Sequence, residues 1–419
     1  MPNMKEALVR KGLSVEIVDT PVPTPRADEV LIKVVVSGTN PKDWKLPEWL
    51  DKPGNQGDDI AGTVEAVGGN VFEFKKGDRV MAFHEMTTSG GSFAEYAISW
   101  QHTTVHIPRS VSSEQAATIP LAALTSVAGL FHHLALPEPW RPATEKIPLV
   151  IYGGASAIGA YAIQLARRSN VHPIIAVAGK GAPFVEGLID RSKGDTIVDY
   201  RKGDEAVISG IKEALGSSKL YHSYDCVSEG SSFINLGKVV ALGGKLVTVN
   251  PVREYPGVPD NINLIKNNVG CVHQDQKDLG YVYFRYLAKG LLDGWFKPHP
   301  HEVVPGGLKG LEKALTNLKD GKASATNAGG IRGIGNASAT EHASRSISSY
   351  VNSVSGRSPA DHQNKSPTPD PRFSLTGLIR PAKNSMEDQT LARRNTRTNS
   401  RTMTGKGLFK SVVELKWGL

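Results

Sequence analysis

Apolar residues follow three successive rhythms along this chain, and each predicts a different kind of element. In the N-terminal stretch they come in short alternating runs. Ala7 to Arg10, Ser14 to Val18 and Glu29 to Val36 read as strands, separated by turn chemistry such as Thr20-Pro-Val-Pro-Thr-Pro25. The strongest, Leu31 to Val36, leads into Ser37-Gly-Thr-Asn-Pro-Lys-Asp-Trp-Lys45, which reads as a polar turn. Glycines at strand corners in Gly57 to Gly68, Phe74 to Ala82 and Gly90 to Ala97 argue for a compact, barrel-like β domain. From Ser113 to His133 the period becomes helical.

The second rhythm begins at Ile147. Leu149, Val150, Ile151 and Tyr152 form an apolar run suited to a strand buried on both faces, and Ile158, Ala162, Leu165 and Ala166 then recur at helical spacing. Between them Gly153, Gly154, Ala155 and Ser156 carry almost no side chain. A pyrophosphate can therefore approach the backbone N–H groups where Ala157 and Ile158 open the helix, at its positive end. Gly159 lets that helix pack closely on its strand, and Ser156 stands where a GxGxxG fingerprint would put its middle glycine. Strand-like Pro173 to Val177, Thr196 to Val198, Ser223 to Val227, Lys245 to Val249 and Gly270 to His273 alternate with helical segments, among them Tyr283 to Leu292 and Gly307 to Leu318. Such alternation predicts an α/β fold, a Rossmann-type doubly wound parallel sheet beside the β domain.

After Ala325 the third rhythm is no rhythm: Ser, Asn, Thr, Arg and Pro predominate, and the segment is expected to be disordered. The expected organisation is thus 1–123 and 266–325 for the β-rich catalytic domain, 124–265 for the nucleotide-binding domain, and 326–419 for the tail. The formal net charge of +8 belongs to that tail. Of 49 Lys+Arg and 41 Asp+Glu, 14 and 6 lie beyond Ala325, leaving 35 of each in the rest. Nucleic-acid binding would rest on the tail alone and is not expected. No apolar run approaches the ~20 residues a membrane span needs, and a cytoplasmic protein is expected. Cys226 and Cys271 are the only cysteines, which excludes a disulfide framework and any CxxC zinc site.

Gly57-Asp-Asp-Ile-Ala-Gly-Thr-Val-Glu-Ala-Val-Gly68, Lys75-Lys-Gly-Asp-Arg-Val80, Gly91-Ser-Phe-Ala-Glu-Tyr96 and then the dinucleotide turn resemble, in order and spacing, the medium-chain dehydrogenase/reductases. The resemblance covers about Met4 to Ala325. Within that family the sequence looks most like the fungal trans-enoyl reductases, some of which partner polyketide synthases, and the quinone-oxidoreductase-like proteins. It implies a GroES-like catalytic domain, an unsaturated small-molecule substrate and a homodimer joined at the edges of the nucleotide-binding sheets, here through Gly270 to His273. Zinc-dependent members carry a Cys after the Val-rich strand and a Gly-His-Glu motif. Gly38-Thr-Asn40 and Gly57-Asp-Asp59 take those places, so no zinc is expected. Relatives also continue past Gly-Lys-Ala-Ser-Ala with a short apolar strand; here Thr326-Asn-Ala-Gly-Gly330 follows, as translated non-coding or mis-spliced sequence would.

An NAD site would place a carboxylate at the end of the second parallel strand, where this chain has Ala178-Gly-Lys-Gly181. Lys180 can pair with a 2′-phosphate, which points to NADPH. By resemblance Tyr200 flanks that phosphate, Lys45 and Thr125 lie near the nicotinamide, and Asn250 with Gly243-Gly244 fits the far side of the cleft. With no metal, hydrogen-bond donors must stabilise the negative charge that develops as hydride reaches a conjugated carbon. Lys45 would orient cofactor or carbonyl, and Thr125 would bond the nicotinamide side. His84 reads either as a proton donor or as a packed histidine. The reaction expected is NADPH-dependent reduction of the activated C=C bond of an enoyl thioester, enone or quinone. Carbonyl reduction and cofactor binding without turnover are the alternatives.

Overall fold

The structure is a computed structural model that describes residues 2–51, 53–322 and 327–332. Strands β1 (Asn3–Val9) and β2 (Val15–Pro21) form an antiparallel hairpin. They precede β3 (Glu29–Gly38), α1 (Lys42–Leu50), β4 (Asp59–Val67), β5 (Arg79–Phe83), β6 (Tyr96–Trp100) and β7 (Thr104–His106). Strand β3 is the spine of this region, paired antiparallel with β4 over most of its length and with β6 over Glu29–Lys33. Its burial follows from its sequence, since Val30, Leu31, Ile32, Val34 and Val36 are all buried and Lys33 stays exposed. The stretch Ser37 to Lys45 is not wholly a turn. Its second half opens α1, with Pro41 at the N-cap, where a missing N–H costs nothing.

The helical stretch beginning at Ser113 resolves into α2 (Ser113–Ala116), α3 (Pro120–Val127) and a π-helical turn over Ala128–His133. Every residue of α3 is buried, because the helix is apolar on all sides and lies between the two sheets. Its two hydroxyls turn inward on their own helix: Thr125 Oγ1 donates to the Leu121 carbonyl at 2.7 Å and Ser126 Oγ to that of Ala122 at 2.9 Å.

The α/β half runs β8 (Leu149–Tyr152), α4 (Ala157–Arg168), β9 (Ile174–Ala178), α5 (Ala182–Glu186), β10 (Thr196–Asp199), α6 (Asp204–Leu215), β11 (His222–Asp225), α7 (Ser232–Gly237), β12 (Lys245–Thr248) and β13 (Asn263–Lys266). Its strands are all parallel in the order β10-β9-β8-β11-β12-β13, so the order reverses beside β8, where α/β folds bind ligands. Its edge strands are β10 and, at the far end of the sheet, β13. Gly270 to His273, expected as that edge, lies in a 3-10 turn over Val269–His273, with Asn268 Oδ1 accepting from the Gly270 N–H at 3.0 Å.

Helix α8 (Lys277–Asp293) returns the chain to the first region, followed by β14 (His301–Val303), α9 (Leu311–Lys319) and β15 (Asn327–Arg332). The last strand corrects the expected tail. Although Asn327-Ala-Gly-Gly lacks an apolar pattern, Ile331 and Arg332 pair antiparallel with Ser37 and Val36 of β3, and β14 pairs parallel on the other side. Backbone hydrogen bonds on two sides place this strand where its side chains gave no signal. The rest of the expected tail, 333–419, lies outside the described residues.

Candidate active site

The C-terminal edge of the parallel sheet gathers the predicted residues, and the glycine turn forms its floor. Gly153 has φ of 84°, in the left-handed region, and a Cβ there would lie 2.4 Å from Val227 Cγ2. Ser156, extended at the N-cap of α4, accepts the Gly159 N–H on its hydroxyl at 3.0 Å. The serine in the fingerprint's glycine place is therefore a cap. The N–H groups of Ala157 and Ile158, in the first turn, have no carbonyl before them in the helix and are open to an anion. Gly159 is required by contact, since a Cβ on it would sit 2.2 Å from the Gly153 carbonyl oxygen. Ala155 lies between, its own carbonyl 3.1 Å from His299 Nε2. A small-residue floor at a helix N-terminus fits the pyrophosphate of a dinucleotide.

Farther along the edge, Lys180 is exposed just past β9, and no carboxylate stands at the end of that strand. The ring of Tyr200, which follows β10, lies against Gly179: a Cβ on Gly179 would be 2.6 Å from Tyr200 Cε1. These two residues bracket one exposed turn. Asp199, at the end of β10, is committed to Arg201, whose guanidinium holds its carboxyl down to about 2. Asn250 follows β12 half-buried, and its carbonyl accepts from the Tyr255 hydroxyl at 2.8 Å.

Lys45 reaches the same edge from the β-rich region. Its ammonium extends from α1 to the Glu229 carboxylate and lies 5.4 Å from the centre of the Trp44 ring. Glu229 belongs to the loop after β11, which also carries Val227. Asp225 moulds that loop, its Oδ1 accepting from the Val227 and Ser228 N–H groups at 3.1 and 2.8 Å and its Oδ2 from Ser232 Oγ at 2.6 Å. Burial nonetheless pushes the Asp225 carboxyl up to about 6. Thr125 comes in on α3, whose next residue, Ser126, also donates to the Ile158 carbonyl at 2.8 Å in the first turn of α4. Glu229 was not singled out in the sequence. Nothing in its local pattern marks a partner 184 residues away.

The positions where zinc-dependent relatives hold their metal are occupied by a closed polar knot. Asn40 Nδ2 donates to Asp59 Oδ2 at 2.8 Å, and Asp59 Oδ1 accepts the Leu121 N–H at 2.7 Å, at the start of α3. Lys42 pairs with Asp43 at 2.8 Å and with Asp58. Burial drives the Asp59 carboxyl up to about 7 against those two hydrogen bonds, and Asp43 up to about 6. With an ammonium inside it and no thiolate or imidazole, this donor set does not fit zinc. Among the described residues no group of three His, Cys, Asp or Glu could hold a metal ion. His84 is a packed histidine, Nδ1 lying 2.8 Å from the Ile98 carbonyl and Nε2 3.3 Å from that of Thr88.

Residues 26–109 match the alcohol dehydrogenase GroES-like domain. Over 312 residues, 73% of this chain and 92% of the relative, the sequence is 46% identical to the trans-enoyl reductase fsr4 of Gibberella fujikuroi. The chain belongs to the medium-chain dehydrogenase/reductases, with the trans-enoyl reductases. This reductase is also 29% identical to a chloroplast envelope quinone oxidoreductase homolog of Arabidopsis thaliana, over 56% of its own length and 70% of that protein. Its fold superposes on the crystal structure of CurK enoyl reductase with a TM-score of 0.63 at 19% identity, covering 78% and 97% of the two chains. On an alcohol dehydrogenase superfamily protein of Novosphingobium aromaticivorans the TM-score is 0.65 at 21% identity, covering 80% and 100%. Among the described residues no helix of the reductase is long and apolar enough to cross a membrane.

Proposed function

We propose that this reductase saturates an activated carbon–carbon double bond, in an enoyl thioester, an enone or a quinone, with NADPH as hydride donor and without a metal. The observation that carries the reading is the reach of Lys45 across to Glu229, beside the loop that packs on Gly153. It supports a cation near the proposed dinucleotide site, since Val227 of the same loop packs on Gly153. The first and most similar relative named above is a trans-enoyl reductase, which supports the same reaction.

The cofactor, when bound, supplies the hydride. The chain's own task is to stabilise the electron pair that moves from the double bond onto the conjugated carbonyl oxygen, and Lys45 is the donor we assign to that oxygen, a proton from solvent then completing the reduction of the enolate. Glu229 is half exposed, and such a pair is worth about 1 kcal/mol or less, so Lys45 can exchange it for substrate at little cost. Thr125 has committed its hydroxyl hydrogen to Leu121, so Oγ1 is left with acceptor capacity only, suited to a carboxamide N–H. Ala157, Ile158 and Ser156 hold the pyrophosphate, Lys180 and Tyr200 the 2′-phosphate, and Asn250 the far side of the cleft. A polyketide synthase that presents the enoyl chain as a thioester fits this chemistry as partner.

The test is NADPH consumption, followed by nicotinamide absorbance, against enoyl thioesters, enones, quinones and aldehydes, with NADH and a chelator as controls. Chelator-insensitive turnover of the conjugated substrates with NADPH is expected, and Lys45→Ala is expected to lower kcat by about a hundredfold. Turnover confined to aldehydes, or lost with chelator, would overturn the reading.

A further inference from the structure

The peptide carbonyl of Thr125 accepts hydrogen bonds from two side chains of the nucleotide-binding half. Tyr224 Oη on β11 donates to it at 2.7 Å, and Asn267 Nδ2, just past β13, donates at 2.9 Å. The two donors also bond each other, Asn267 Nδ2 lying 3.0 Å from Tyr224 Oη. Both residues are buried, Tyr224 completely. Burying a phenol and an amide is costly, and Asn267 Oδ1 finds no hydrogen-bond partner among the described residues, so apolar residues would fill this space at less cost. What Phe and Leu could not do is grip a carbonyl.

The carbonyl that they grip lies at a break in the helix. Just beyond Thr125 the chain turns from α into the π-helical turn at Ala128, and Ala128 N–H is shared between the Leu124 and Thr125 carbonyls. Helical breaks of this kind loosen the backbone bonding and recur at functional sites. Here Gly129 makes room for the tyrosine, for a Cβ on it would lie 2.3 Å from Tyr224 Cζ. Lys245 Nζ, on β12, donates to the His133 carbonyl at 3.0 Å and ties down the end of the same turn. Three elements of the nucleotide sheet thus hold one segment of the linking helix. Burial keeps the Tyr224 hydroxyl protonated, its titration pushed well above the ordinary tyrosine range, so it remains a donor.

We propose that Tyr224 and Asn267 are positioning residues for the reaction: through the Thr125 carbonyl they lock the Thr125 hydroxyl to the sheet that binds the cofactor. The proposal rests on the assignment of Thr125 to the nicotinamide side. Thr125 then moves with the cofactor rather than with the β-rich region, although Asp59 anchors the same helix four residues earlier.

Tyr224→Phe removes one hydroxyl and keeps the ring against Gly129. The measurements are single-turnover hydride transfer with the full-length enzyme in excess over crotonyl pantetheine and NADPH, NADPH affinity by fluorescence, and thermal unfolding. Y224F is expected to slow transfer about tenfold while NADPH affinity stays within about twofold. In a Thr125→Ala background, the same change is expected to slow transfer by less than about twofold, because the group it positions is gone. Unchanged transfer in Y224F, or the full tenfold loss repeated on top of T125A, would overturn the proposal. If T125A alone transfers hydride at the wild-type rate, the assignment of Thr125 falls and this proposal with it, while the Lys45 result decides the reaction separately. Should Y224F fail to fold, Asn267→Ala removes the second donor and must show the same non-additivity with T125A.

Discussion

Asp59 has no exposed surface and yet accepts two hydrogen bonds, from Asn40 and from the N–H of Leu121. Desolvation opposes its charge, those two donors favour it, and the nearby Asp43 and Asp58, which Lys42 pairs with, oppose it as well, with the Tyr161 hydroxyl close enough to feel it. Burial wins, which sets a sign. In an unfolded chain an aspartate releases its proton near pH ~4, whereas folded Asp59 holds it up to about 7. Between those values the folded protein binds the extra proton, so stability contributed by Asp59 is fully present at low pH and is lost as pH rises through about 7. Asp43 adds the same sign up to about 6. Asp59→Asn cannot titrate, and with the Asn40 amide turned to offer its oxygen it keeps both hydrogen bonds. Its unfolding midpoint is expected to fall less than that of the wild type between about pH 5 and about pH 7. Equal slopes for the two proteins would mean that Asp59 is already ionised across that window. The sequence exposed this pair only by contrast, as Asn and Asp in places where zinc-dependent relatives carry ligands. That Asp59 instead anchors a helix depends on Leu121, 62 residues away.

Two elements, the glycine turn and α3, carry the proposed cofactor site, and they were unequally legible. The turn announces itself locally, because an apolar run, four small residues and a helical period leave one arrangement that fits. Its closest constraint can be tested directly. A methyl on Gly159 would meet the backbone oxygen of Gly153, which no side-chain rotation can relieve. Overpacking of this sort costs about 1–3 kcal/mol, so Gly159→Ala is expected to weaken NADPH binding about tenfold in a fluorescence titration, with the β-rich region undisturbed. Wild-type affinity would show that the turn can shift without cost. Helix α3 gives less away. Its apolar character predicts burial, and Thr125 enters by resemblance, but Tyr224 and Asn267 stand 99 and 142 residues further on in stretches that read as ordinary strand and loop. For α1 the misreading was also local: Pro41 looks like turn punctuation within Ser37 to Lys45, yet it is the N-cap of a nine-residue helix.

At the scale of the whole molecule, one hydrophobic core joins the two halves. Val36, Met81 and Phe83 of the β-rich sheet, Leu124 and Val127 of α3, and Leu149 and Ile151 of the parallel sheet all belong to it. Damage to the β-rich sheet should therefore be felt by the whole protein. That sheet is completed by β15, which enters between β14 and β3 although its sequence carries no strand period. Removing everything after Ala325 would strip β14 of its partner and leave β3 open at Val36 and Ser37, whereas ending the chain after Arg332 keeps both pairings. Each lost backbone hydrogen bond is worth about 1 kcal/mol. The shorter chain, 1–325, is thus expected to unfold some 5 °C or more below 1–332 in a thermal melt, and to self-associate more through the bared edge of β3. The comparison separates β15 from everything beyond it. If 1–325 and 1–332 melt together and stay equally monodisperse, the strand contributes nothing to the fold. If only 1–325 is impaired, the folded reductase extends to Arg332, and the boundary set by composition at Ala325 falls just short of its last strand.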